Sequence, residues 1–143
     1  MLQQEKCLKG IKEKGGRLTK LRKSLVDILC NCSCLTNSSD IQRALKKQGL
    51  MPDRSTLYRE FLYLVDNNIL KKSVIAGADH YEIAGHHHHH LICKGCKSIK
   101  MVFPDCSLDA AQKKLNKEND FYIDDHVLDF FGYCKKCKKK ERK

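Results

Sequence analysis

Apolar residues in the first half of the chain recur at helical spacing. Leu21, Leu25, Ile28 and Leu29 fall at i, i+4, i+7 and i+8 and predict one helix with a single apolar stripe. Thr19 stands where its N-cap belongs. Ile41 and Leu45 predict a shorter helix over residues 40–47, capped by Ser38 or Ser39. Leu57, Phe61, Leu64 and Val65 predict a third over residues 55–67, opened by Pro52 and Asp53. A looser helix over residues 3–14 precedes them. Two short runs, 70–75 and 80–84, then flank Ala76-Gly77-Ala78-Asp79 and read as a hairpin. Three helices followed by a hairpin is the order of a winged helix-turn-helix.

The second half changes period. Residues 88–93 and 99–103 predict strands joined across a Cys93-x-x-Cys96 turn. Ser107 stands as cap for a helix reaching about residue 119. Residues 121–133, with Phe121, Ile123, Val127 and Phe131 at two-residue multiples, predict a long last strand. The fold class is thus α+β: a winged-helix domain over 1–84, then a small α/β domain over 85–143 that ends in a basic tail. The second domain has too little apolar surface to close a core alone and needs a metal, dimerisation or both. The basic tail over 138–143 is expected to be solvated and disordered, with contact to DNA as the alternative.

Charge sharpens this picture. The 143 residues carry 28 Lys and Arg against 17 Asp and Glu, a formal net charge of +11. Such an excess suits a polyanionic partner, usually nucleic acid. No stretch approaches the 18 apolar residues of a membrane span, and the first residues lack an apolar signal core, so a cytoplasmic protein without membrane contact is expected. Nine cysteines, an odd number, then point to metal or redox chemistry rather than disulfides.

Cys93-x-x-Cys96 and Cys134-x-x-Cys137 offer four thiolates in two knuckles, a set that closes around a structural zinc. A redox pair is the competing reading. Five histidines, His86 to His90, form an internal block, where a purification tag would be terminal. On a strand, His88 and His90 point one way and His87 and His89 the other, so one strand can feed two metal sites. Glu82, Asp109 and His126 are the candidate further ligands, and imidazole with carboxylate suits zinc, iron(II), manganese or nickel. A merely solvated histidine run is the alternative. In Pro52-Asp53-Arg54-Ser55-Thr56-Leu57-Tyr58-Arg59, at the start of the third helix, Ser55, Thr56, Tyr58 and Arg59 can reach phosphates or base edges, as can Arg17. Tyr58 as packing and Arg59 as a solvated helix face are the competing readings. No catalytic constellation accompanies these motifs, and no H-x-E element partners the cysteines, so an enzyme is not expected.

His87-His-His-His90-Leu-Ile-Cys-x-x-Cys96, Ser55-Thr-Leu-Tyr-Arg59, His126-x5-Gly132-x-Cys-x-x-Cys137 and Arg17-Leu-Thr-x-x-Arg22 together resemble the ferric uptake regulator family over about residues 10–137. The resemblance implies a dimeric, metal-dependent transcriptional regulator, usually a repressor, with an N-terminal winged helix and a C-terminal α+β dimerisation domain. It implies structural zinc on Cys93, Cys96, Cys134 and Cys137. It assigns His87, His89, Asp109 and His126 to a metal site within the dimerisation domain, and Glu82, His88 and His90 to a sensing site at the hinge.

The chain departs from the family pattern at that sensing site. Leu35 stands where many members place a histidine, and Met101 where a further carboxylate is usual. Neither replaces a hard ligand. Cys32, Cys34 and His80 are candidate substitutes, while Cys30 reads as a small apolar residue of the helix stripe. Lys97 occupies the position after Cys96 that is usually glycine. A metal-responsive repressor of metal-homeostasis genes, sensing Fe2+ or Zn2+ and binding a palindromic duplex as a homodimer, is the expected function. A metal-buffering or metal-delivery protein that no longer reads DNA is the alternative. A peroxide-sensing role is weakened by the departures.

Overall fold

The computed structural model describes residues 2–32, 35–85, 88–103, 108–124, 126 and 128–141. The chain divides into two compact units, Met1–His86 and His87–Lys143. The first unit begins with α1 (Leu2–Glu13) and α2 (Lys20–Cys30), where the Thr19 hydroxyl caps α2 by accepting from the Arg22 N–H at 3.2 Å. A two-residue strand β1 (Thr36–Asn37) leads into α3 (Ser38–Lys47), and α4 (Arg54–Asp66) follows. The wing is the hairpin β2 (Leu70–Ile75) and β3 (Ala78–Ile83). The apolar stripes converge as their spacing requires: Leu25, Leu29, Ile41, Leu45, Leu57 and Leu64 are buried in one cluster.

Two local features of this unit differ from the sequence reading. The cap of α3 is Asn37, whose side-chain oxygen accepts from the Asp40 N–H at 2.8 Å, rather than Ser38 or Ser39, which lie inside the helix. Asn37 serves twice, since β1 pairs with β3 through Thr36↔Tyr81 and Asn37↔His80. The hairpin is also tighter than four residues. Ala76 and Gly77 both adopt positive φ, 50° and 77°, as a two-residue hairpin turn that matches strand twist requires, so β3 begins at Ala78.

In the second unit, β4 (His89–Cys93), β5 (Ile99–Val102) and β6 (Asp129–Gly132) form a sheet ordered β5-β4-β6. β4 and β5 are antiparallel, whereas β4 and β6 are parallel. Parallel neighbours need a long connection, and α5 (Leu108–Asn119) lies within it. Among the described residues, the expected strand over 121–133 forms only at Asp129–Gly132. Asp120 takes a positive φ of 47°, the Phe121 N–H returns to the Asn116 carbonyl at 3.1 Å, and the Asn116 side chain captures the Ile123 N–H at 2.9 Å. The helix end therefore consumes the backbone donors that a strand would have offered a neighbour. The tail differs too: α6 (Lys135–Glu141) continues from the second knuckle, the Lys138 N–H bonding to the Cys134 carbonyl at 2.9 Å. Ser107 and Val127 lie outside the described residues. Among the described residues no helix is long and apolar enough to cross a membrane.

Candidate metal centre and nucleic-acid interface

Sheet register brings the four cysteines together. Cys93 ends β4 opposite Gly132 at the end of β6, and the Lys94 N–H bonds to the Gly132 carbonyl at 2.7 Å. The first knuckle thus abuts Cys134, whose N–H donates to Cys93 Sγ at 3.3 Å. One turn into α6, Cys137 completes the set, and all four sulfurs lie within 4.8 Å of one another. A tetrahedral zinc with Zn–S bonds of about 2.3 Å spaces its sulfurs about 3.8 Å apart. Cys96 Sγ and Cys134 Sγ are 3.8 Å apart, so the residues fit the ion. Four such ligands leave no open position for a substrate.

The thiols themselves call for a cation. The N–H groups of Cys134 and Cys96 hold the Cys93 thiol down to about 6, and a hydrogen bond with Ser98 at 3.1 Å lowers Cys96. Cys137, hydrogen-bonded to Cys134, is pushed up to about 12. The first thiolates form easily and the last is resisted by its neighbours, a conflict that a divalent ion resolves.

Backbone demands shape the first knuckle. A Cβ on Gly95 would sit 2.8 Å from Cys137 Sγ and 2.9 Å from Cys137 Cβ. Gly95→Ala is therefore expected to weaken zinc retention by about 1–3 kcal/mol, the usual cost of overpacking, measured by competition with a chelator of known affinity. Lys97 adopts a φ of +61° while its N–H bonds to the Cys93 carbonyl at 2.9 Å. The left-handed turn explains why glycine suits this position and shows that lysine tolerates it here.

The histidines sort by strand face. The rings of His88 and His90 meet edge to face at 4.8 Å, while His89 turns toward His126, ring centroids 6.1 Å apart. His89 and His90 are buried. His90 Nδ1 lies 3.1 Å from Asp129 Oδ1. His87 is outside the described residues, and only the backbone of Asp109, in α5, is described. Glu82 sits half-buried on β3 in the first unit, paired in register with Lys71. Within the second unit, His88 and His90 bring two imidazole donors together.

The departures from the family pattern now have places. Leu35 is buried apolar, and Met101 lies on β5 directly opposite His90. His80 is buried on β3 with Nδ1 3.0 Å from the Ala78 carbonyl. Cys30 packs against the core, where its thiol is hydrogen-bonded to Cys7 and burial pushes it up to about 12, an unreactive arrangement. Cys32 packs half-buried on the same core, and Cys34 lies outside the described residues.

The start of α4 carries the interface residues. Asp53 caps it, accepting the Thr56 N–H at 2.9 Å and the hydroxyls of Ser55 at 2.8 Å and Thr56 at 2.5 Å. The Thr56 and Ser55 bonds hold the Asp53 carboxyl well below its usual range. Ser55 and Thr56 are exposed but their hydroxyls serve the cap. Tyr58, 51% exposed, and the exposed Arg59 project from the same helix. A groove beside them is lined by Gln42 and Arg54 and floored by Tyr81, which stacks on Phe61 at 4.0 Å.

Arg17 is exposed, and its carbonyl accepts from Arg22 Nη1 at 2.8 Å. Arg22 also grips Glu60 through Nε at 2.8 Å and Nη2 at 3.0 Å, with its guanidinium 3.7 Å above the Tyr63 ring. The arginine therefore ties α2 and the Arg17 backbone to α4. The sequence pattern places Arg22 in a motif without giving it a role, and it does not single out Glu60 or Asp129. The adjacency of Glu60 to Arg59 is the only local signal for the first, and none exists for the second.

A winged helix followed by a small α/β unit with a closed four-thiolate centre and a histidine-rich strand defines a metal-dependent DNA-binding regulator. The chain belongs to the Ferric uptake regulator family, which matches it over residues 13–131. The peroxide operon regulator of Bacillus subtilis is 27% identical over 96% of this chain and 94% of its own length. The ferric uptake regulation protein of Staphylococcus epidermidis is 30% identical over 94% of this chain and 95% of its own. The solved structure of the Helicobacter pylori ferric uptake regulator superposes with a TM-score of 0.77 at 25% identity, covering 94% of this chain and 93% of that one. As a member of this family the chain is a metal-responsive DNA-binding regulator rather than an enzyme.

Proposed function

We propose that this protein acts in the cytoplasm as a homodimeric repressor of metal-homeostasis genes, binding a palindromic operator when a regulatory Fe2+ or Zn2+ is held. The observation that carries this reading is the coexistence of a closed thiolate centre with separate imidazole donors on the same strand. The first suits a permanent structural ion, the second an exchangeable one. Residues 1–84 would read DNA through Arg17, Ser55, Thr56, Tyr58 and Arg59, with Ser55 and Thr56 acting chiefly by ordering the helix start. Residues 85–143 would dimerise. Phe130 and Phe131, 43% and 57% exposed on edge strand β6, support that role.

Cys93, Cys96, Cys134 and Cys137 would hold the structural zinc. Glu82, His88 and His90 would hold the regulatory ion, and His87, His89, Asp109 and His126 a further one. The Helicobacter pylori relative is described as having three functional metal-binding sites, and the three sets proposed here would give the same number. The metal would act by differential affinity for the DNA-competent arrangement of the dimer. Relatives of similar identity are named for peroxide and for ferric uptake. The hydrophobic Leu35 and Met101 favour direct metal sensing over a peroxide-reactive iron centre.

Capture of genomic duplex fragments, with the structural zinc retained and with or without added divalent metal, tests the reading. Metal-dependent enrichment of one palindrome is expected. No enrichment under any metal would move the assignment to metal buffering. Arg59→Ala is expected to weaken duplex binding and to lower the salt slope by about 1; equal affinity across a salt series would remove α4 as the reading helix.

A further inference from the structure

We propose that Asp129 is the positioning residue of the regulatory metal site: it fixes the tautomer and ring orientation of His90, so that Nε2 is the nitrogen offered to the ion. The inference rests on the assignment of His90 as a ligand.

The sheet provides the geometry. β4 is the central strand, so His90 has a neighbour on each side: Met101 on β5 and Asp129 on β6. The thioether offers imidazole no strong acceptor. The carboxylate does, with Oδ1 3.1 Å from Nδ1. Both side chains are well buried, 6% exposed for His90 and 14% for Asp129. A carboxylate only accepts, so Nδ1 must carry the proton and the ring lone pair resides on Nε2. Metal-ligating histidines characteristically donate their other N–H to such a partner, which orients the ring and raises its basicity. The parallel pairing of β4 with β6 sets this contact, and the zinc knuckles immediately beyond Cys93 and Gly132 clamp the same two strands in register. A zinc held by the four cysteines would thus keep in place the residue that orients the regulatory ligand.

The experiment uses the full-length protein with its four-cysteine zinc in place and cobalt(II) as spectroscopic probe of the second site. Asp129→Asn is expected to weaken cobalt binding roughly 10- to 100-fold, the usual effect of removing such a partner, with zinc content unchanged. Asp129→Glu should recover most of the loss. Nitrogen-15 NMR of His90 without cobalt should show the proton on Nδ1 in the parent and redistributed in Asp129→Asn, a change that mere bracing of β6 against β4 would not produce. His90→Ala is measured alongside. If it abolishes cobalt binding while Asp129→Asn leaves both affinity and tautomer unchanged, the positioning role is overturned and the site assignment stands. If neither substitution alters cobalt binding, the site assignment falls, and the role of Asp129 with it.

Discussion

Cys96→Ser and Cys137→Ser should each release the structural zinc and unfold residues 87–143 while residues 1–86 remain folded. Among the described residues, Ile92 and Cys93 are the only buried apolar side chains of the second unit. A core of that size does not offset the entropy of ordering the chain. Zinc binding in peptides with comparable sites is worth about 10–16 kcal/mol, as much as the whole stability of an ordinary domain. Loss of one thiolate removes most of that, because the remaining three sulfurs no longer close the tetrahedron. Zinc content and limited proteolysis check the two halves of the expectation, and sedimentation checks the proposed dimer. A zinc-free variant that stays dimeric, with residues 87–143 protected, would refute the structural role.

The second large effect is expected at Arg22. Arg22 is 8% exposed, and its guanidinium is bonded to both Glu60 oxygens, to the Arg17 carbonyl and, through its face, to Tyr63. Arg22→Ala leaves Glu60 without its charge partner in a largely buried position. Breaking one side of such a pair costs about 3–5 kcal/mol, whereas an exposed pair is worth about 0–1 kcal/mol. Replacing both partners, Arg22→Met with Glu60→Leu, should recover much of the stability because apolar packing substitutes for the pair. Urea unfolding distinguishes these outcomes. A cost below about 1 kcal/mol for Arg22→Ala would place the pair in the surface class. Duplex affinity should fall even in the doubly substituted protein, since the bond from Arg22 to the Arg17 carbonyl is lost.

Much of this molecule is legible in its residue pattern. The helices over 20–30 and 54–66 carry stripes of three to four apolar residues and recognisable caps, so local period and capping chemistry agree with tertiary packing. The hairpin is visible for the same reason. The thiolate centre is legible because two-residue spacing is itself the geometry of a knuckle. The segment 121–133 misleads because Phe121, Ile123 and Phe131 alternate as a strand would, while the competing bonds come from Asn116, a residue of the preceding helix. The two-residue β1 is too short to leave a period, and its residue Asn37 is hidden as a cap because two serines follow it.

The residue types alone determined the chemistry available to this protein: four thiolates that can close around zinc, imidazoles that can share a second ion, and a capped helix whose first turns carry Arg54 and Arg59, suited to a phosphate backbone. Which groups meet was decided only by the fold. Asp129 stands 39 residues from His90, and Glu60 stands 38 from Arg22. Helix packing on a buried apolar core joins Glu60 to Arg22, and strand register, closed by the four-cysteine cluster, joins Asp129 to His90. A pattern read within one turn or one strand cannot carry that information, because the free energy that selects the partner is not local.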